Sequence, residues 1–564
     1  MPFTAPTAEQ RFALDHVVRL GELAATERYA AASDDVIDAV LEGAGQFAAG
    51  EWAPLARAGD TVGAKWTPEG VVMPAGYPEA YRAFVEGGWG TIGAPEAFGG
   101  QGLPFAIQTA VLETLGTANM GFALCPILTV GAIEALTHHG TPKQQAAYLP
   151  RLTSGEWTGT MNLTEPQAGS DVGALKSMAT PRGDGSWSVK GTKIFISFGD
   201  HDMADNIVHL VLARTPNAPA GTRGISLFLV PKFRLNADGN PGAFNDVRVV
   251  SIEHKMGLHA SPTCVLSFGD NDDCIGHLIG PEHGGMRAMF TMMNNARLNV
   301  GLQGVQVAEA ATQKAVDYAR ERIQGARDGQ PAAIIEHPDV RRMLMRMKAQ
   351  TLAARALVYY AAGQVDRAGL GDAAAKDRLE MVTPLAKAHA TDLGNEVASL
   401  GVQIHGGMGF IEETGAAQFF REARITPIYE GTNGIQAADL VGRKLALSNG
   451  GAFAALIADI RAEAQDAGLI ALVDACERVG RRLQTADADD KLAASYPFLN
   501  MLSIATAGWL VERLARHSAG DAPGETRRAI AAFYLAQVLP EAMGQIAAAE
   551  ANAGALYALS ADAF

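Results

Sequence analysis

The sequence predicts an α+β multidomain protein: an N-terminal helical domain, a middle antiparallel β-domain, a C-terminal helical bundle and an appended helical domain. Three observations lead there. Apolar residues recur at helical spacing in two long blocks. Between them lie short runs rich in β-branched and aromatic residues. The length, 564 residues, exceeds what one core supports and suggests about four domains, or three large ones.

Residues 1–155 form the N-terminal helical domain, with helical spacing from about residue 34 in VIDAVLEGAGQF and FAIQTAVLETLGTANM, and Gly and Pro at the breaks. Residues 156–281 form the β-domain, because WSVKGTKIFIS, NIVHLVLART, GISLFLVPKF and PTCVLSFGD are strand-like runs separated by Gly, Asp and Pro clusters. Residues 282–447 return to long helical segments such as VRRMLMRMKAQTLAARALVYYAAG, which suit a four-helix bundle. The break SNGGAF opens residues 448–564, an Ala-rich helical addition.

Bulk properties exclude several classes of function. A formal net charge of -15 argues against nucleic acid or an anionic membrane as the main partner. Cys125, Cys264, Cys274 and Cys476 are scattered without CxxC spacing, so neither a disulfide framework nor a zinc site is indicated, and reduced, mostly buried thiols are expected. No run approaches 18 apolar residues, and MPFTAPTAEQRFALDH lacks a basic region followed by an apolar stretch. The expectation is a soluble cytoplasmic protein with no integral membrane segment and no metal.

The most informative stretch is PIYEGTNGIQ, residues 427–436. Ile428 and Tyr429 would strip water from the Glu430 carboxylate and raise its pKa toward that of a working general base. Gly431 permits close approach of a ligand, and Thr432 and Asn433 offer hydrogen-bonding groups. The other reading is a helix start, with Thr432 or Asn433 as cap and Glu430 a solvated acid. The segment alone leaves both open.

Three further motifs bear on chemistry. MNLTEPQAGSDV (161–172) is either a loop that grips carbonyls and phosphates or an ordinary strand-to-turn connection. KIFISFG (193–199) sets Phe195 and Phe198 around Ser197, either as a flat face for a planar heterocycle or as core aromatics of a strand. QIHGGMGF (403–410) combines a polar start with three glycines that cap a helix or admit a ligand. The GxGxxG dinucleotide fingerprint is absent, so a nucleotide must be held in some other way. His405 has no second ligand at metal-binding spacing.

The order of these blocks and of MNLTEPQAGSD, KIFIS, QIHGGMGF and YEGTNGIQ resembles the acyl-CoA dehydrogenase flavoprotein family over roughly residues 35 to 447. The C-terminal addition is similar to the subgroup with an extra helical domain, which includes long-chain fatty acyl-CoA and 3-methylmercaptopropionyl-CoA dehydrogenases. The resemblance implies FAD-dependent α,β-dehydrogenation of an acyl-CoA thioester to the trans-2-enoyl-CoA. Glu430 would take the α-proton while the β-hydrogen leaves as hydride to flavin N5, and electrons would pass to electron-transfer flavoprotein. The thioester carbonyl would accept hydrogen bonds from the backbone N–H at the base and from the flavin's ribityl hydroxyl.

Carried over residue by residue, the resemblance assigns Thr164 and Ser197 to the flavin ring. Phe195 stands where many members have Trp, and Met161, Leu163, Gly169 and Ile196 lie in the same FAD-contacting segments. Ser170 is similar to the serine shared by FAD and CoA. Arg322 resembles the arginine that reaches the FAD of a neighbouring subunit, in a loop one residue shorter than the common form, while His337 and Pro338 stand where many members have His-Gln. Gln403, Gly406, Gly407 and Thr432 match further FAD segments, the first three across a homodimer interface. Asn294 and Arg297 align with the substrate-side DKTR, with Tyr429 and Gly431 beside the substrate. Short or medium acyl groups, including 3-methylmercaptopropionyl, are expected. A long-chain dehydrogenase, an acyl-CoA oxidase and a non-catalytic acyl-CoA-binding scaffold are the alternatives.

Overall fold

The computed structural model describes residues 3–564. Its N-terminal helices include α1 (Asp34–Phe47), α2 (Phe105–Ala118), α3 (Met120–His139) and α4 (Pro142–Ser154). Local signals fix their ends. Asn119 caps α3 by accepting from Phe122 N, and Thr141 with Gln144 forms a reciprocal capping box at α4. By length and hydropathy α3 is able to cross a membrane, which the sequence reading passed over, but 89% of its apolar window is buried in protein. It is a core helix.

The middle block is a sheet of β1 (Trp157–Asn162), β2 (Met178–Pro181), β3 (Trp187–Ser197), β4 (Asn206–Arg214), β5 (Ile225–Pro231), β6 (Val247–Ile252), β7 (Thr263–Phe268) and β8 (Ile275–Ile279). The strand order is β6–β7–β3–β8–β5–β4–β1, with β2 beside β3 and β4. Pairing is antiparallel except that β1 and β2 run parallel to β4. The chain enters β1 from helix α4 and not through a hairpin, so parallel pairing is open to it. β1 and β5 are buried along their whole length, as is β4 up to Arg214, which is why their sequences read as near-continuous apolar runs.

Long helices follow: α5 (Gly285–Glu321), α6 (Pro338–Gly369) and α7 (Ala373–His405). α5 and α7 approach closely because glycine faces backbone. A Cβ on Gly304 would lie 2.1 Å from the Ala390 carbonyl oxygen, and one on Gly394 would lie 2.8 Å from that of Gly304. A buried polar cluster ties α2, α5 and α6: Arg355 donates to Glu113 at 2.9 Å and to Glu309 at 2.8 Å, and Tyr359 donates to Glu113 at 2.7 Å. Breaking such a cluster on one side strands a buried charge.

Short helices α8 (Ala416–Ala423) and α9 (Asn433–Gly442) bracket the YEGTNG segment. The appended block supplies α10 (Gly451–Glu463), α11 (Ala467–Thr485), α12 (Ala488–His517) and α13 (Ala522–Phe533). Asp466, Asp487 and Asp521 cap the last three. Helix α12 is the hub, packing on α9, α6 and α11.

Contacts gather the chain into two compact units that cut across its consecutive blocks. One comprises the N-terminal stretch up to Glu42, Pro104–Thr117 and Arg297–Phe564; the other comprises Gly43–Leu103 and Ala118–Ala296. Composition cannot reveal this. Each helix is apolar on the face it buries, whichever neighbour covers it.

Candidate active site

In the helical unit the site is built on the loop from α8 to α9. The backbone N–H groups of Ile428 and Tyr429 both donate to Ile425 O, and Asn433 N donates to Pro427 O at 2.9 Å. Two left-handed residues close the turn, Glu430 at φ 53° and Gly431 at φ 84°. Glycine is required at 431: a Cβ there would meet Gln436 Nε2 at 2.8 Å. Thr432 then caps α9 by accepting from Ile435 N at 3.1 Å.

Both sequence readings of this segment are therefore partly right. A helix does start here, capped by Thr432, and Glu430 is nonetheless not a solvated acid. It is half-buried and ringed by protein, so desolvation raises its pKa; Arg297 and Lys387 oppose that shift through space. The source of the dehydration differs from the expectation. Ile428 is 48% exposed, because the turn at Ile425 directs it outward. Tyr429 is the inward neighbour, its hydroxyl donating to Gln303 Oε1 on α5.

Around Glu430 stand polar atoms that lack partners among the described residues. Arg297 is 7% exposed and its closest ion pair, to Asp439, is 3.9 Å long. Its Nε, the Gln303 Nε2 and the Gln436 Oε1 are buried and unsatisfied. Buried polar groups of this kind carry a desolvation penalty that a polar ligand relieves. Gln303 and Gln436 were not foreseen, since glutamine on a helix gives no sequence signal apart from its apolar neighbours.

In the β-containing unit a second locus forms from the turn after β1 and the end of β3. Ile194 N donates to Thr164 O at 2.9 Å, joining the two segments. Phe195 lies at φ 61° and Phe198 at φ 48°, and the pairing of β3 with β7 shifts register here. The irregularity turns Phe195 outward, 59% exposed, while Phe198 is 1% exposed. Each reading of this run holds for one ring: Phe198 belongs to the core, edge-on to His201, and Phe195 alone offers a face. Thr164 and Ser197 are half-buried, and Gly169 and Ser170 are exposed. Met161 and Ile196 have buried side chains, and Leu163 packs against the Met161 cluster. The outcome is a ledge with an exposed ring, two hydroxyls and a small-residue turn, which suits a flat heterocycle with a polar edge.

The remaining expected residues lie elsewhere. Arg322 is exposed just past α5, where its guanidinium donates to Gln324 at 3.3 Å. His337 caps no side-chain bond but meets Gln324 O at 2.8 Å, and Pro338 opens α6. Gln403, Gly406 and Gly407 are exposed at the end of α7, with Gly406 at φ 59°. His405 is buried, stacked on Tyr318 and bonded to Gly401 O at 2.7 Å. Asn294 is half-buried on α5. All four cysteines are free and buried.

Comparison with known proteins places these features in context. Residues 35–156, 160–271 and 283–445 match the N-terminal, middle and C-terminal domains of acyl-CoA dehydrogenase, and residues 447–560 match the acetyl-CoA dehydrogenase C-terminal-like domain. The chain is 46% identical over 540 residues, 90% of each chain, to 3-methylmercaptopropionyl-CoA dehydrogenase of Ruegeria pomeroyi. It is 39% identical over 427 residues to a butyryl-CoA dehydrogenase of Syntrophomonas wolfei, covering 72% of this chain and 70% of that one. In fold it is similar to Caenorhabditis elegans ACDH-11, with a TM-score of 0.78, 22% identity, and coverage of 95% of this chain and 92% of that one.

Proposed function

The chain belongs to the acyl-CoA dehydrogenase family, and from that premise we propose that it dehydrogenates a short or medium acyl-CoA, with 3-methylmercaptopropionyl-CoA foremost, using Glu430 as the base. The family is FAD-dependent. When bound, FAD supplies the two-electron acceptor that takes the β-hydrogen. Phe195, Thr164, Ser197 and the Gly169–Ser170 turn would hold its ring and adjoining groups. Arg322, Gln403, Gly406 and Gly407, exposed as a shared cofactor requires, would serve the FAD of a second copy in a homodimer.

One observation carries the reading: Glu430 is an acid whose pKa is raised by burial, with no ion pair tying up its carboxylate among the described residues. A carboxylate so placed is a stronger base than one in water. Its oxygen accepts the α-proton. Its backbone N–H is the proposed donor to the thioester oxygen, an interaction that in a dry site lowers the barrier by about 3 kcal/mol. Arg297 and Lys387 keep the acid ionised enough to act. The substrate assignment is supported by the 46% identity that spans the appended segment as well. Electron-transfer flavoprotein is the proposed acceptor.

The test is anaerobic mixing of the yellow protein with a panel of acyl-CoAs while the flavin band is followed. Glu430→Gln is expected to retain FAD and to slow bleaching by about a thousandfold, the scale of a lost general base. Bleaching at the unmodified rate refutes the assignment. Peroxide formation during aerobic turnover, without need of electron-transfer flavoprotein, would make the protein an oxidase instead.

A further inference from the structure

The loop that carries Glu430 is wired to the appended segment by a line of hydrogen bonds, buried at Lys387 and Asn433 and exposed where it ends at Tyr496. Lys387, in the middle of α7, is fully buried, and its Nζ donates to Asn433 Oδ1 at 2.9 Å. Asn433 lies three positions after Glu430 and uses its other side-chain atom three times. Its Nδ2 donates to Ala388 O at 3.1 Å, Thr391 Oγ1 at 3.0 Å and Asp392 Oδ1 at 2.8 Å. Its backbone N–H reaches back to Pro427 O, so one residue pins both ends of the loop to α7. The second oxygen of Asp392 accepts from the Tyr496 hydroxyl at 2.6 Å. Tyr496 lies on α12.

A lysine with no solvent contact is costly unless its charge is used. Lys387 has no ion pair within 4 Å among the described residues; it has a neutral amide oxygen, the favourable fields of Asp392 and Glu430 and the opposing field of Arg297. Burial pushes it down to about 8, so it stays mostly protonated at pH 7. The groups that act on Glu430 are Arg297 from α5 and Lys387 from α7. Asp439, Arg443 and Glu380 act on Arg297 in turn, the two acids attracting it and Arg443 repelling it. Lys387 is therefore the cation near Glu430 that no neighbouring carboxylate claims by direct contact.

We propose that Lys387 is a positioning residue for Glu430, anchored through Asn433 and Asp392 by Tyr496 of the appended segment, so that residues beyond 448 take part in setting how the acid works. This rests on Glu430 being the base. Removing the ammonium raises the proton affinity of Glu430 further. Removing the Tyr496 hydroxyl weakens the negative charge on Asp392 that keeps Lys387 protonated, and acts in the same direction.

The experiment measures the rate of flavin bleaching by butyryl-CoA across pH 5–10 in the FAD-loaded full chain. Lys387→Met is expected to move the acidic limb of the profile up by about one pH unit. Lys387→Arg should return it near its original place. Tyr496→Phe should move it in the same direction by less, with FAD content unchanged. A limb that stays put in Lys387→Met and Tyr496→Phe, with rates lowered equally at every pH, overturns the inference. If Lys387→Met loses FAD, the Tyr496→Phe profile decides by the same criterion. A Glu430→Gln control separates the two failures: retained bleaching there sinks the base assignment and this inference with it, whereas lost bleaching with an unmoved limb sinks this inference alone.

Discussion

Lys193 and Glu165 form an ion pair at 2.8 Å with side chains 0% and 3% exposed. The pair joins the strand that carries Phe195 to the turn that follows Thr164. Lys193 also donates to Leu163 O at 3.1 Å, and Glu165 accepts from Lys176 N, Ser177 N and Gln167. The two halves of the aromatic ledge are thereby held as one piece.

Lys193→Met is expected to destabilise the protein by about 3–5 kcal/mol, because it leaves Glu165 buried without its cation. The double variant Lys193→Met/Glu165→Gln should recover part of that loss. Flavin occupancy after dialysis should fall in the single variant. Thermal unfolding and the visible flavin band check both, and equal stability of the single and double variants would contradict the pairing argument.

Acid stability follows from groups in the same unit. Glu165 is held down to about 2 by its cation and donors, so its contribution is present above about 4.5 and is lost as pH falls through about 2. His201 and His209 are buried and neutral, each pushed down to about 3. The unfolded chain binds protons at both histidines below about 6.5, so stability declines from there toward 3 at up to roughly 1.4 kcal/mol per pH unit for each. His201 accepts from Met203 N at 3.2 Å through Nδ1 and meets Thr158 at 2.9 Å through Nε2, which fixes its neutral tautomer. His201→Asn should flatten the decline between pH 6.5 and 3 in denaturant titrations; an unchanged slope would argue against the buried neutral ring.

Gly431→Ala is expected to cost about 1–2 kcal/mol, since an L side chain is strained at φ 84°, and to slow flavin reduction tenfold or more by displacing Glu430. Melting temperature and stopped-flow bleaching measure the two effects separately. Normal bleaching in a destabilised protein would show that the acid does not depend on this turn.

Arg322→Ala should leave folding unchanged, because the side chain is exposed and bonded only to Gln324. Flavin should be lost on dialysis, and activity should return when FAD is added in excess. Full occupancy after dialysis would remove Arg322 from the cofactor site.

Block-scale architecture was legible because it depends on periodicity, which local sequence carries. At Glu430 the local sequence left a base and a solvated acid before a helix both open, because what half-buries the acid is Tyr429 turning inward to Gln303 on α5. What escaped were long-range pairs. Lys193 and Glu165 are 28 positions apart, Lys387 and Asn433 are 46 apart, and Tyr496 and Asp392 are 104 apart. A faint signal did exist, since Lys193 opens the strand run KIFIS and Lys387 interrupts the helical run TPLAKAHA, whose residues are all buried. Phe195 and Phe198 show the other limit. Strand alternation alone would put residues three apart on opposite faces, but both rings sit on left-handed residues, so only the backbone angles tell which ring is outside.

The left-handed backbone at Glu430 sets two demands on one position against each other. Glycine would sit there with no steric conflict, while glutamate holds the conformation at a disadvantage of about 1–2 kcal/mol. Variants of this loop selected for thermal tolerance alone should drift to glycine at 430 and lose the proposed proton acceptor as they become sturdier. The acid survives only under a screen that asks for chemistry.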